Sequence, residues 1–244
     1  MIADLAAQAR SQGRLAIDTE FVSERRYQAL LCLVQVAVPD PDAPDGVRTE
    51  VLDPLADEPF DPAPLATVLA DPAVEILVHA GRQDVAILRR AWGAELRNVF
   101  DTQVAAGFLG LGNQEGYESL VRKVLNVRLK GSEGFTKWDR RPLTPQQLSY
   151  AGDDARMLLA LAEEIERRLV ERGRLEWARE ECRALERISD ERDPRDVYER
   201  LPRLGRLDER GRAVALELVE WREQNAKAMD RPGATYCPTR HWSS

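Results

Sequence analysis

The sequence predicts an α/β fold: a mixed β-sheet, antiparallel at one side and parallel at the other, with helices on its faces. Two observations carry this. Three strand-like runs, RLAIDTEF, LLCLVQVAV and TEVLDPL, follow one another with only a polar segment and the turn-rich PDPDAPDG between them, which is the pattern of an antiparallel meander. After them, APLATVLAD, VEILVHA, RQDVAILRRAW and NVFDT alternate helix and strand signals, which is βαβ-like and implies parallel pairing.

Each element has its own reason. MIADLAAQARSQGR reads as a short amphipathic helix closed by a Gly turn. RLAIDTEF and LLCLVQVAV are rich in residues that suit a buried strand, and VEILVHA is a short apolar run of the parallel-sheet type. From Thr102 to about Leu185 the pattern is helical, interrupted by the basic, Gly-containing stretch LKGSEGFTKWDRRPLTPQQ. Past Leu169 the composition shifts to a charged helix, ERGRLEWAREECRALERISDERD.

With 244 residues, 43% hydrophobic and 32% charged, the chain has an ordinary globular balance and enough length for one sizeable domain plus an appendage. It has no apolar run of about 18 residues and no basic-then-apolar leader, so the expectation is a cytoplasmic protein without a membrane segment. Cys32, Cys182 and Cys237 are odd in number and widely spaced, which matches neither a disulfide framework nor a zinc site. A net charge of −7 argues against coating nucleic acid by bulk attraction and says little about one local groove.

Asp18 and Glu20 stand two apart at the end of the first strand and therefore project to one side of it. The crevice beyond the carboxyl ends of parallel strands is where such folds bind ligands. An isolated D-x-E is equally what two solvated acids look like. Asp84 falls in the first turn of the helix after VEILVHA, where an acid also suits the helix dipole. Tyr150 and Asp154 are four apart on one helix and share a face. It is the ordered set of these five that is improbable by chance.

The set resembles the 3′-to-5′ exonuclease family whose site combines Asp, Glu, Asp and Asp with a tyrosine, and within it the ribonuclease D group. The resemblance rests on DTEF at 18–21, LCLVQVA at 31–37, HAGRQDVAIL at 79–88, FDTQVAAGFLG at 100–110 and WDRRPLTPQQLSYAGDDARML at 138–158, and it covers about residues 14–170. YQA at 27–29 departs from the family's aromatic-proline pair, and LKGSEGFTKW differs from its lysine-serine stretch. The resemblance implies a ribonuclease H-like fold, two divalent ions, Mg²⁺ or Mn²⁺, and hydrolysis of RNA from a free 3′ end, tRNA precursors included. It implies that Asp18 bridges both ions, that Glu20 and Asp154 hold the one carrying the attacking water, that Asp84 supports the other, and that Tyr150 orients the water. No obligate protein partner is implied. The chemistry is consistent, because hard cations prefer carboxylate oxygens and a pair of them can activate water and support a leaving oxygen. Asp153 is the rival to Asp154, but only Asp154 completes the four-residue spacing; His79 reads as a packing or hydrogen-bonding residue.

Between Tyr117 and Leu148 seven basic residues stand against three acids, a locally positive strip in a negative chain. Lys130, Lys137, Arg140 and Arg141 are candidates for phosphate contacts, and Phe21, Phe135 and Trp138 for stacking on terminal bases, though each aromatic also suits a core. By domain, residues 1–170 read as the exonuclease unit, 171–202 as a charged helical linker, 203–232 as the incomplete start of a helical domain of the kind ribonuclease D shares with helicases, and 233–244 as an irregular tail. Two alternatives use the same features: a single-strand DNA exonuclease, and a catalytically inactive nucleic-acid-binding module.

Overall fold

The structure is a computed structural model that describes residues 1–58, 60–129 and 137–235. The elements run α1 (Ile2–Gln12), β1 (Arg14–Val22), β2 (Leu30–Pro39), β3 (Val47–Leu52), α2 (Ala63–Leu69), β4 (Glu75–Val78), α3 (Arg82–Trp92), β5 (Val99–Asp101), α4 (Thr102–Phe108), α5 (Tyr117–Leu125), α6 (Pro145–Glu171), α7 (Leu175–Cys182), α8 (Pro194–Glu199) and α9 (Glu209–Ala228). The five strands form one mixed sheet in the order β3-β2-β1-β4-β5. β2 and β3 pair antiparallel, with Gln35 opposite Val51, while β1, β4 and β5 pair in parallel, with Ala16 beside Leu77 and Val78 beside Asp101.

The chain divides into two compact units. The first contains Met1–Phe21 and Leu31–Ser189 and carries the sheet. Side chains alternate along β1, so Ala16 joins Leu77 and Phe100 on the face covered by Ala105, Leu120, Val121, Leu158, Leu161, Ala162 and Ile165 of α4, α5 and α6. Burying each large aliphatic side chain there contributes about 1.5–3 kcal/mol. Leu15 and Ile17 point to the opposite face and are equally buried. Helices α1 and α2 pack on each other, and Gln8 of α1 donates to the Pro39 carbonyl.

Residues 171–189, which their charge marks as linker, are built into this first unit. The reason is two small residues four apart: Ala178 and Cys182 of α7 are fully buried, and the Asp101 amide donates to Cys182 Sγ at 3.3 Å. A charged composition hides so narrow a stripe.

The second unit joins Val22–Leu30 to the chain from Asp190. Here α8 packs on α9, and the Tyr27 hydroxyl donates to Glu223 Oε2 of α9 at 2.9 Å. Arg222 pairs with Glu223, Arg26 with Asp230, and the Arg192 guanidinium lies over the Tyr27 ring. Among the described residues no helix is long and apolar enough to cross a membrane.

Candidate active site

Three elements of the first unit bring the five sequence-selected residues together. Asp18 and Glu20 lie on the last half of β1, past its final pairing with β4 at Ala16 and Leu77. Asp84 sits in the first turn of α3, directly after β4, and is 7% exposed. Tyr150 and Asp154 lie on α6, whose start is fixed by a capping box: Thr144 Oγ1 accepts from the Gln147 amide, and the Gln147 side chain accepts from the Thr144 amide. Asp154 is 8% exposed and accepts a hydrogen bond from the Tyr150 hydroxyl, whereas Asp153 faces solvent.

The electrostatics show how close these acids are. Burial pushes Asp18 well above the usual carboxylate range, and the charges that raise it further belong to Asp84, Glu20 and Asp154. Glu20 is pushed up to about 8 by burial and by Asp154 and Asp84. Asp84 rises to about 6 through burial, against the opposing hydrogen bond from Thr19. Asp154 also rises to about 6 through burial, against its bond from Tyr150. Tyr150 is held protonated by burial and by Asp154.

Residues that the sequence did not single out hold these acids in place. Thr19, turned by alternation to the other face of β1, donates through Oγ1 to Asp84 Oδ1 at 2.5 Å. Asp101 ends β5, caps α4 and receives the Ala80 and Gly81 amides at 3.1 and 2.8 Å, which ties down the elbow leading to Asp84. The elbow passes so near β4 that a Cβ on Gly81 would lie 2.5 Å from Val78 Cγ2. On the other side, the Tyr117 hydroxyl donates to the Asp154 main-chain carbonyl at 2.5 Å, and its ring rests against His79, whose Nδ1 is 2.9 Å from Thr102 Oγ1. His79 is thus a hydrogen-bonding and packing residue.

The basic strip divides. Lys137 and Arg140 are exposed, and Phe21 is half-buried at the end of β1. Two expected RNA contacts are revised. Trp138 is only 3% exposed and stacks on Tyr150 with ring centroids 6.4 Å apart, so little of its face is left for a base. The Arg141 guanidinium is bound inward by both oxygens of Asp53 and by the carbonyls of Cys32, Trp138 and Arg140. Lys130 and Phe135 lie outside the described residues.

The acidic cluster fits a hard divalent cation in donor chemistry and in charge: Asp84 and Asp154 both raise Asp18 and Glu20, and a cation among these oxygens would reverse that penalty. It does not form a closed cage. Among the described residues no three Asp, Glu, His or Cys side chains stand together at metal-holding spacing.

Comparison with known proteins agrees with this geometry. A family described as 3′-5′ exonuclease matches residues 1–170. A ribonuclease D of Xanthomonas oryzae is 35% identical over 226 residues, 92% of this chain and 60% of that protein. The crystal structure of Escherichia coli RNase D, an exoribonuclease involved in structured RNA processing, superposes with a TM-score of 0.86 at 30% identity, covering 98% of this chain and 62% of that one. Brucella melitensis NrnC with bound Mg²⁺ superposes at 0.59 with 26% identity, over 73% of this chain and 84% of NrnC. The chain therefore spans about three fifths of the length of these ribonuclease D relatives. With the family match running through the sheet, the acids and the tyrosine-bearing helix, the chain belongs to the 3′-5′ exonuclease family, alongside ribonuclease D.

Proposed function

We propose that this chain is a metal-dependent 3′-5′ exoribonuclease that shortens RNA from a free 3′ end, tRNA precursors among its substrates, in a reducing cytoplasmic setting. One observation carries the reading: the charges of Asp84 and Asp154 raise both Asp18 and Glu20 at the carboxyl edge of the parallel strands, with the Tyr150 hydroxyl bonded to Asp154. The buried Cys32 and Cys182 are in keeping with the setting. Asp18, Glu20, Asp84 and Asp154 are the residues that would hold two ions, Mg²⁺ or Mn²⁺. Bound there, such ions supply a water of lowered pKa and neutralise charge on the phosphate and the leaving oxygen.

The protein's own groups do the rest. Tyr150 stays protonated in its acidic surroundings, so its hydroxyl orients the attacking water by hydrogen bonding. Tyr117 and the Thr144 cap fix the helix that carries Tyr150 and Asp154, while Thr19 and Asp101 fix Asp84. Lys137 and Arg140 are exposed, and their charges would attract phosphates. Water attacks the last phosphorus, the bond to the upstream 3′ oxygen breaks, and that oxygen takes a proton; a nucleoside 5′-monophosphate leaves, and the shortened RNA ends in a new 3′-hydroxyl.

A time course on 3′-extended RNA and matching DNA, in Mg²⁺, Mn²⁺ or chelator, tests this. Nucleoside 5′-monophosphates should accumulate from RNA only with metal, and a 3′-phosphate should slow their release. Asp18→Asn should lower the rate by roughly 10³-fold or more through loss of a charge that would hold the ions. Cleavage of a circular RNA, or near-normal turnover of Asp18→Asn in Mg²⁺, would contradict the reading. Faster attack on DNA would move it to a DNA exonuclease, and no cleavage of either to a binding module.

A further inference from the structure

Gln35 lies in the middle of β2 with no exposed surface, and neither its Oε1 nor its Nε2 has a hydrogen-bond partner among the described residues. An amide buried this way is costly, while leucine or methionine would fill the same volume freely. Its position shows where a partner belongs.

Leu33, Gln35 and Ala37 share one face of β2, as Ala16, Asp18 and Glu20 share one face of β1. Ala37 and Ala16 pack in the same buried cluster, which puts Gln35 on the face that bears Asp18 and Glu20. β1 and β2 are neighbours, and the link from Val22 to Leu30 is too short for a parallel crossover, so the two strands run antiparallel. Directly opposed residues of such a pair share a face. With the strand ends at Val22 and Leu30, that parity leaves Gln35 opposite Asp18, or opposite Ala16 one pair away. Helix α6 crosses the same patch: a Cβ on Gly152, midway between Tyr150 and Asp154, would lie 3.8 Å from Thr49 Cγ2 of β3, two residues along from the Val51 that pairs with Gln35.

We propose that Gln35 is a positioning residue for Asp18: when a divalent cation is bound, its amide holds that carboxylate, through one ordered water, in the rotamer that faces the cation. The amide suits the task, offering donor and acceptor without adding charge to a crowded acidic pocket. This rests on the metal-dependent reading above.

Gln35→Leu and Gln35→Met remove the polar atoms and keep the volume. In chelator both variants should melt at or above the wild-type temperature, because no protein partner is lost. With Mn²⁺ the metal-induced rise in melting temperature should shrink. The Mn²⁺ concentration that half-saturates single-turnover cleavage of a 3′-extended RNA should rise about tenfold, the scale of lost support behind a metal ligand. Wild-type metal dependence in both variants overturns the proposal, as does a marked loss of melting temperature in chelator in both, which would make the amide a fold-stabilising group. If the wild-type chain shows neither a metal-induced rise nor cleavage, the metal-dependent reading fails first and the role of Gln35 falls with it.

Discussion

Turning about 100° from one residue to the next, α6 sends Asp153 to solvent and Asp154 inward, where the Tyr150 hydroxyl donates to it. The two acids should therefore separate cleanly on substitution. Asp154→Asn should weaken metal binding and recover part of its rate at high metal. Tyr150→Phe should lose roughly 10- to 10³-fold in turnover, in or below the usual range for a proton-handling group, with metal and RNA affinity nearly unchanged. Asp153→Asn should change little. Single-turnover rates across a Mn²⁺ titration measure all three, and a severe defect in Asp153→Asn beside a mild one in Asp154→Asn would reverse the assignment. At this scale the sequence was informative, because D-x-E and Y-x-x-x-D are local spacings on one strand and one helix. It could not reveal Thr19 or Tyr117, whose partners lie 65 and 37 residues away. Nor could it separate Trp138 and Arg141 from the exposed base of the strip, since an aromatic and an arginine in a basic loop look alike whether they face RNA or the protein.

Elements were legible where local chemistry decides them and less so where a close approach does. Thr144 and Pro145 open α6 as a cap and a first-turn proline and both halves of the box form, whereas the sequence reading places TPQQ inside the basic interruption. The elbow between β4 and α3 is different: it depends on the Asp101 carboxylate, from the neighbouring strand, and on the space beside Val78. Gly81 adopts φ −74°, which any residue can, so it is required by crowding and not by backbone freedom. Gly81→Ala puts a methyl group 2.5 Å from Val78 Cγ2 and should cost about 1–3 kcal/mol, the usual range for overpacking. Because the shift falls on the turn that aims Asp84, cleavage should drop further than stability does. Urea titration and single-turnover rates on the same preparation compare the two, and Gly81→Ala paired with Val78→Ala should regain much of the lost stability. Wild-type stability in Gly81→Ala alone would mean that the elbow is looser than the Gly81–Val78 approach implies.

At the scale of the molecule, net charge and composition describe an ordinary acidic protein and conceal where the acid is concentrated. The two-unit division is similarly hidden, since Val22–Leu30 belongs with residues more than 150 positions later through Tyr27, Glu223 and Asp230. What the fold does with its charge gives a measurable consequence. In the folded chain Asp84 and Asp154 titrate at about 6, Glu20 at about 8 and Asp18 well above its ordinary value, whereas unfolded Asp and Glu titrate near ~4. Between these limits the native state holds more protons than the unfolded one, so the contribution of these four groups to stability falls as pH rises from about 4 to about 8. The lowered groups Glu164, Glu115 and Asp4 act in the opposite sense only below their ordinary values, outside that window, while His79, lowered by burial, opposes the trend below about pH 6.5 as one group against four. In chelator the melting temperature should therefore decline between pH 5.5 and 8.5. With millimolar Mn²⁺ the trend should flatten or reverse, because the cation binds the ionised acids and stabilises only the folded chain. Asp18→Asn should melt higher than the wild type at pH 8.5 in chelator, having lost a charge that the fold repels, and should gain less from metal. Parallel melting curves of both proteins, with and without Mn²⁺ across that pH range, decide the matter: a wild-type melting temperature that rises with pH in chelator would show that the acids are not crowded as their burial implies.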